Sequence, residues 1–165
     1  DMSLLTIRDA TEADLPAINA IYNHYVARST CTWQIKATTE TERLAWFNAH
    51  GPTYSVIVGE SDGKVVSWAS LSRFHAREGY RFTVESSVYI HHEYHRRGFG
   101  RALMIELIAR AKSLSYHTIL ASISDDQAPS TALHASLGFD RAAHLREIGW
   151  KFNRRLGVVY MQLML

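Results

Sequence analysis

The sequence predicts an α/β fold in which a mixed sheet is covered by helices, and three observations predict it. Short β-branched and aromatic runs at residues 54–59, 64–71, 82–90 and 118–123 have the composition of strands. Between them lie segments whose apolar residues recur at helical spacing, and the two kinds of segment mix without strict alternation. The chain has 165 residues, 47% apolar and 21% charged, which suits one domain (1–165) with a single core.

In chain order, residues 4–8 alternate enough to be a first strand. Thr11 then caps a helix, with Asp14 three residues later in a capping-box position, and Leu15, Ile18, Ile21, Tyr22 and Tyr25 form its apolar stripe. A polar segment, STCTWQIKATTE, follows with one large aromatic, Trp33. Residues 39–50 read as a second helix carrying Leu44, Trp46 and Phe47. Strands 54–59 and 64–71 meet at Ser61-Asp62-Gly63, a turn sequence. Residues 73–80 form a polar bend before the strand at 82–90. The main helix carries Leu103, Ile105, Leu107, Ile108 and Ala111 as its expected buried face. After strand 118–123, residues 125–137 form a short helix stopped by Gly138. Residues 139–148 and 158–165 pair to close the sheet, joined through residues 149–157.

The stretch SSVYIHHEYHRRGFGRALMIEL joins a strand end to the main helix through a polar connector. Glycines at such a junction let backbone approach a ligand, and the unpaired N–H groups of a helix's first turn, at the positive end of its dipole, form an anion site. Arg96, Arg97 and Arg101 add charge suited to a diphosphate. The alternative is a plain tight turn with solvated arginines. No GxxxxGK[ST] run exists, which excludes a P-loop. A dinucleotide fingerprint fails because Leu103 takes the third glycine's place and seven residues separate strand from glycine.

Net charge is only +2, so no general affinity for nucleic acid is expected. Cys31 is the single cysteine, excluding an internal disulfide and a cysteine-based metal site. Nothing resembles a signal peptide or membrane span, and a cytoplasmic protein is the expectation.

On strand 82–90, alternation puts Glu85, Ser87 and Tyr89 on one face and Val84, Val88 and Ile90 on the other. A carboxylate on a central strand is costly unless paired or functional. Both readings stand on the residues alone: a structural carboxylate bonded to an arginine, or a catalytic base. In the helix of PSTALHASLGF, Leu133 and Leu137 are expected to face inward, with His134 on the flank near Ser130. The chain has nine histidines, and nothing in the pattern alone singles out His134.

RRGFGRALM, after a strand and a polar loop, resembles the acyl-CoA signature Q/R-x-x-G-x-G/A of the GNAT N-acetyltransferase superfamily, with His95 where Gln or Arg is usual. IRDATEADLPAI resembles the first strand and helix of many GNAT enzymes. TVESSVY, LHASLGF, GWKFN, VVY and YNHYV, in matching order over nearly the whole chain, are similar to the phosphinothricin and methionine sulfoximine acetyltransferase branch. The resemblance implies a mixed, mostly antiparallel central sheet flanked by helices. It implies acetyl-CoA as co-substrate, no metal, and acetylation of the α-amine of a small amino acid such as methionine sulfone, methionine sulfoximine or phosphinothricin.

It further implies Glu85 as base and His134 as an aid to proton movement. Coenzyme A would be held by Val88, Tyr89 and Ile90, by Arg96, Arg97, Gly98, Phe99, Gly100 and Arg101, and by Gln127, Ser130 and Ser136. The acceptor would be held by Trp33, Arg73, His75, Ala76, Arg77, Glu85, Ser86 and Ser87, with Arg77 on its carboxylate. Trp33 and Arg77 each keep a plain alternative, core packing for the first and an exposed loop for the second. The branch also implies a homodimer. Two competing functions remain: a protein N-terminal acetyltransferase, and an acyl-CoA-binding sensor without catalysis.

Overall fold

The computed structural model describes residues 4–165. Strand β1 (Thr6–Asp9) leads through a 3-10 turn (Glu12–Asp14) into α1 (Leu15–Arg28) and α2 (Glu40–His50). Then come β2 (Val56–Ser61), β3 (Lys64–Arg73), β4 (Thr83–Ile90), α3 (Phe99–Ser113), β5 (Thr118–Ser124), α4 (Ala128–Ser136), β6 (Asp140–Lys151) and β7 (Arg154–Met164). The seven strands form one sheet in the order β1-β2-β3-β4-β5-β7-β6. Among the described residues only β4 and β5 pair in parallel; the other pairs are antiparallel.

The caps follow the sequence. The Thr11 N–H donates to Asp14 Oδ2 at 2.7 Å, and Thr39 Oγ1 accepts from the Glu42 N–H at 3.1 Å. Asp62 and Gly63 both have positive φ, as a two-residue hairpin turn with native twist requires.

Each face of the sheet buries its own apolar layer. On one, α3 sets Leu103, Met104, Leu107 and Ala111 against Ile57, Ala69, Val84, Ile119 and Val159. On the other, Leu15, Ile18 and Ile21 of α1 pack with Val58 and Trp68. Ile105 departs from expectation and is exposed. At 100° per residue it sits on the far side of α3 from the 103–107–111 stripe, and Met104 takes the inward place.

The last two strands run longer than expected. They continue through Gly149 and Gly157 to a two-residue turn at Phe152 and Asn153, both with positive φ. Nearly all of β6 is exposed, and it is the sheet's edge.

Candidate active site

The sheet opens where its one parallel pair stops. Beta-4 and β5 are in register only at Thr83 with Thr118, Val84 with Ile119 and Glu85 with Leu120. Beyond that, β5 stays paired to β7 up to Ser124, and β4 stays paired to β3 up to Ile90. The strands therefore diverge from Ser86 onward. The His91 N–H donates to Val66 O across β3, so alternation turns the N–H groups of Ser86, Val88 and Ile90 toward the gap. Polar main chain facing an unpaired gap invites an extended ligand to pair with it.

Glu85 stands at the apex of this divergence. It is half-buried and has no hydrogen bond or ion pair among the described residues, so no arginine satisfies it. Burial alone pushes its carboxyl above the usual carboxylate range. A desolvated, unpartnered carboxylate is a stronger base than a solvated one.

The gap leads into a cavity of about 520 Å³ along the start of α3. Ten expected coenzyme residues line it: Val88, Tyr89, Ile90, Arg96, Gly98, Phe99, Gly100, Arg101, Gln127 and Ser130. Gly98 has φ +77°, which turns the chain so that α3 begins with four free N–H groups. A Cβ on Gly100 would stand 3.5 Å from Leu133, inside the space those residues enclose. Ser136 joins indirectly, its Oγ accepting from Arg101 at 2.8 Å and donating to Leu133 O at 2.7 Å. Arg97 does not line the cavity; its guanidinium lies 4.7 Å from the centre of the Tyr94 ring. The Tyr25 hydroxyl donates to Ile90 O and also meets His95 Nε2 at 2.7 Å, so the position that departs from the Gln/Arg pattern helps fix the strand end.

A narrower cavity of about 90 Å³ lies in the gap itself, lined by Ser86, Ser87, Ser122, Ser124, Cys31 and His134 among others. Ser86 Oγ is buried there without a partner among the described residues. His134 is buried rather than flanking, while Leu133 and Leu137 are half-buried. The reason is that α4 turns the histidine onto Phe139, with the rings edge to face at 5.0 Å. Its Nδ1 lies 2.7 Å from Ser130 O, and a carbonyl can only accept. The proton is therefore on Nδ1, and Nε2 carries the lone pair. Burial lowers the pKa of this ring, so its neutral form prevails.

The loop below the cleft is held by polar contacts, with Lys151, Thr30 and Ser124 buried. Lys151 Nζ donates to Ser29 O at 2.7 Å and to Thr32 O at 2.8 Å, and Asp126 accepts from Thr30, Ser124 and Arg154. Cys31 lines both cavities, and burial keeps its thiol protonated.

Other expected acceptor residues are not gathered into the cleft. Arg73, the last residue of β3, and His75, Ala76 and Arg77 on the bend that follows are exposed, and the Arg77 N–H donates to His75 Nδ1 at 3.0 Å. Trp33 packs under β6: a Cβ on Gly149 would come within 2.4 Å of its ring. Ile35, Ile148 and Trp150 surround it.

Sequence reasoning missed a second polar cavity, of about 290 Å³, on the α1/α2 side of β4. Ser70, Ser72, Ser87, Arg43 and Trp68 line it, and Ser72 is the cross-strand partner of Glu85. The available signal was spacing: Arg43, Trp46, Phe47 and His50 fall at i, i+3, i+4 and i+7, which puts an arginine on the inward face of α2.

The comparisons agree with this geometry. The model of the Acetyltransferase (GNAT) family matches residues 18–139. The L-methionine sulfoximine/L-methionine sulfone acetyltransferase of Salmonella typhimurium is 40% identical, over 98% of this chain and 95% of its own. The solved phosphinothricin acetyltransferase of Sinorhizobium meliloti, in complex with acetyl-CoA, superposes with a TM-score of 0.95 at 34% identity, covering 98% of this chain and 88% of that one. The ribosomal-protein-alanine N-acetyltransferase structure of Brucella melitensis also gives 0.95, at 38% identity over 97% and 99%. The chain belongs to the GNAT acetyltransferase family.

Proposed function

We propose that the chain is an acetyl-CoA-dependent N-acetyltransferase acting on the α-amine of a small amino acid of the methionine sulfone, methionine sulfoximine or phosphinothricin kind. The observation that carries it is the unpartnered, desolvated Glu85 at the apex of an open strand pair, beside a helix-start anion cradle. Bound acetyl-CoA supplies an activated acetyl thioester.

The cleft residues divide the remaining work. The N–H groups of residues 98–101, with Arg96 and Arg101, hold the diphosphate, which a helix N-terminus favours, while Arg97 stands over Tyr94 outside the cavity wall. The main chain of Val88 to Ile90 pairs with the pantetheine arm, with Tyr89, Phe99, Gln127 and Ser130 along the wall and Ser136 steadying Arg101. Glu85 accepts the proton that the amine must lose. His134 presents a lone pair at Nε2, so it first takes up a proton and only then gives one to the departing sulfur. Ser87 offers a hydroxyl on the face of the base, and Ser86 lines the gap from the opposite face of β4. Arg77, with Arg73 at the end of β3 and His75 and Ala76 on the bend, would meet the acceptor's carboxylate from outside the cleft.

A homodimer belongs to this reading, supported by the exposed edge strand β6 and by Ile148 and Trp150, 59% and 55% exposed around Trp33. A partner copy would then complete the acceptor pocket at Trp33. So do a single domain over 1–165 with one sheet, a cytoplasmic setting, and no nucleic-acid or membrane partner. Net charge of +2 and the lack, among the described residues, of a helix long and apolar enough to cross a membrane support these.

The Brucella relative's name favours a second reading, transfer to a protein N-terminus. Thiol release from acetyl-CoA over a panel of methionine sulfone, its amide and a short peptide decides among these. Turnover with the free amino acid alone is expected. Equal turnover with the amide removes carboxylate recognition, peptide preference establishes the second reading, and no release with any amine leaves a non-catalytic acyl-CoA sensor.

A further inference from the structure

The cavity on the α1/α2 side of β4 is lined by two side chains, Arg43 and Trp68, that carry donors with no acceptor among the described residues. Arg43 is 4% exposed, yet it forms no salt bridge among the described residues. Its Nε–H donates to Asn19 Oδ1 at 3.1 Å, and its guanidinium lies 4.8, 4.6 and 5.5 Å from the ring centres of Tyr22, Trp46 and Trp68. The stack fixes the plane of the guanidinium and leaves both terminal amino groups unpartnered among the described residues. Trp68 is 2% exposed, and its Nε1–H is buried without an acceptor among the described residues. Both side chains line the same cavity of about 290 Å³.

Neither an indole N–H nor a guanidinium can accept a hydrogen bond, so together they call for oxygen acceptors. A buried cation without a counter-charge is costly, and burial pulls the Arg43 pKa down. The one carboxylate on the cavity wall, Glu42, is exposed and accepts from Thr39 Oγ1 at 3.1 Å. The ligand must therefore bring the oxygens.

Position narrows the ligand further. Ser72 lies opposite Glu85, Ser70 opposite Ser87 and Trp68 opposite Tyr89, all on one face. One step along that face, from Glu85 to Ser87, is about 7 Å. The head group of an amino acid with a three- or four-atom side chain lies roughly 5–6 Å from its α-amine. An amine at Glu85 thus places the head at the cavity, while the adjacent carboxylate, bonded to the same carbon as the amine, stays at the cleft end.

We propose that Arg43 and Trp68 form the subsite for the acceptor's side-chain head, selecting a tetrahedral group rich in acceptor oxygens such as a sulfone, sulfoximine or phosphinate. This rests on the amino-acid acetyltransferase reading above.

The test pairs methionine sulfone with methionine, which differ only by two oxygens. It uses the full chain, wild type and the variants Trp68→Phe and Arg43→Met. Trp68→Phe keeps a ring and removes the donor; Arg43→Met keeps the buried stem. Acetyl-CoA affinity reports whether each variant is folded. In Trp68→Phe the KM for methionine sulfone should rise about 10-fold, and in Arg43→Met roughly 10- to 100-fold. The KM for methionine should stay within about twofold and kcat should hold for both. A sulfone-to-methionine preference equal to wild type in Trp68→Phe overturns the subsite, and so do equal losses for both substrates. Calorimetric titration with methionine sulfone separates the two proposals. Binding that Trp68→Phe weakens, without turnover in wild type, refutes transfer and keeps the subsite. Turnover at wild-type affinity in Trp68→Phe does the reverse.

Discussion

Replacing Glu85 by Gln changes one charge in a site where the carboxylate holds nothing else together. No donor loses a partner, because none bonds Glu85 among the described residues, and the amide has nearly the same volume. The fold and the acetyl-CoA cavity should therefore survive, and the effect should fall on kcat. A positioned general base contributes about 10²- to 10⁴-fold, which is about 2.7–5.5 kcal/mol of barrier. The pH dependence gives a second reading. Burial raises the Glu85 pKa, so wild-type turnover should climb with pH through a limb above the ordinary glutamate range. Glu85→Gln should lose that limb and keep only the rise caused by deprotonation of the amine itself. The assay follows loss of thioester absorbance from pH 5.5 to 9 at saturating acetyl-CoA, with calorimetry for acetyl-CoA affinity. Wild-type turnover in the variant, or an unchanged pH limb, would refute Glu85 as base.

The same substitution should act on stability with a definite sign. A carboxyl whose folded pKa is raised stabilises least when ionised, so wild-type stability should fall as pH rises through the folded pKa. Glu85→Gln should therefore melt higher than wild type at pH 8 and equal to it near pH 4, by calorimetry at both values. Gly98→Ala should cost about 1–2 kcal/mol through its positive φ alone, since nothing lies within 4 Å of the added Cβ. Its acetyl-CoA dissociation constant, by titration, should weaken because the N–H groups at the start of α3 turn with it. Light scattering should find two copies, and Trp150→Glu on the exposed face of β6 should return one.

Much of the fold was legible because local chemistry and global packing agree. The Thr11 and Thr39 caps, the Asp62-Gly63 turn and the strand feeding the glycine loop all carry their cause within a few residues. Errors arose where tertiary context decided. Gly149 and Gly157 read as linkers because glycine weakens a strand, but Gly149 is required by the Trp33 ring that lies against it. Ile105 read as core on its hydrophobicity, although at 100° per residue its spacing already turns it away from the 103–107–111 stripe. The Glu85 alternative, a carboxylate paired with arginine, could be settled only by seeing that no arginine pairs with it among the described residues. His134 was legible as a candidate, but its tautomer depends on a carbonyl one helical turn back. Arg43 was hidden because an arginine in a helix reads as solvated, and only the folded chain shows three aromatic rings around it.

A crystal structure of the chain with bound coenzyme A is the most direct measurement. The account predicts pyrophosphate oxygens within hydrogen-bonding distance of the main-chain N–H groups of residues 98–101, and the sulfur lying in the opening beside Glu85. A pyrophosphate seated anywhere else, or a sulfur pointing away from β4, would contradict it.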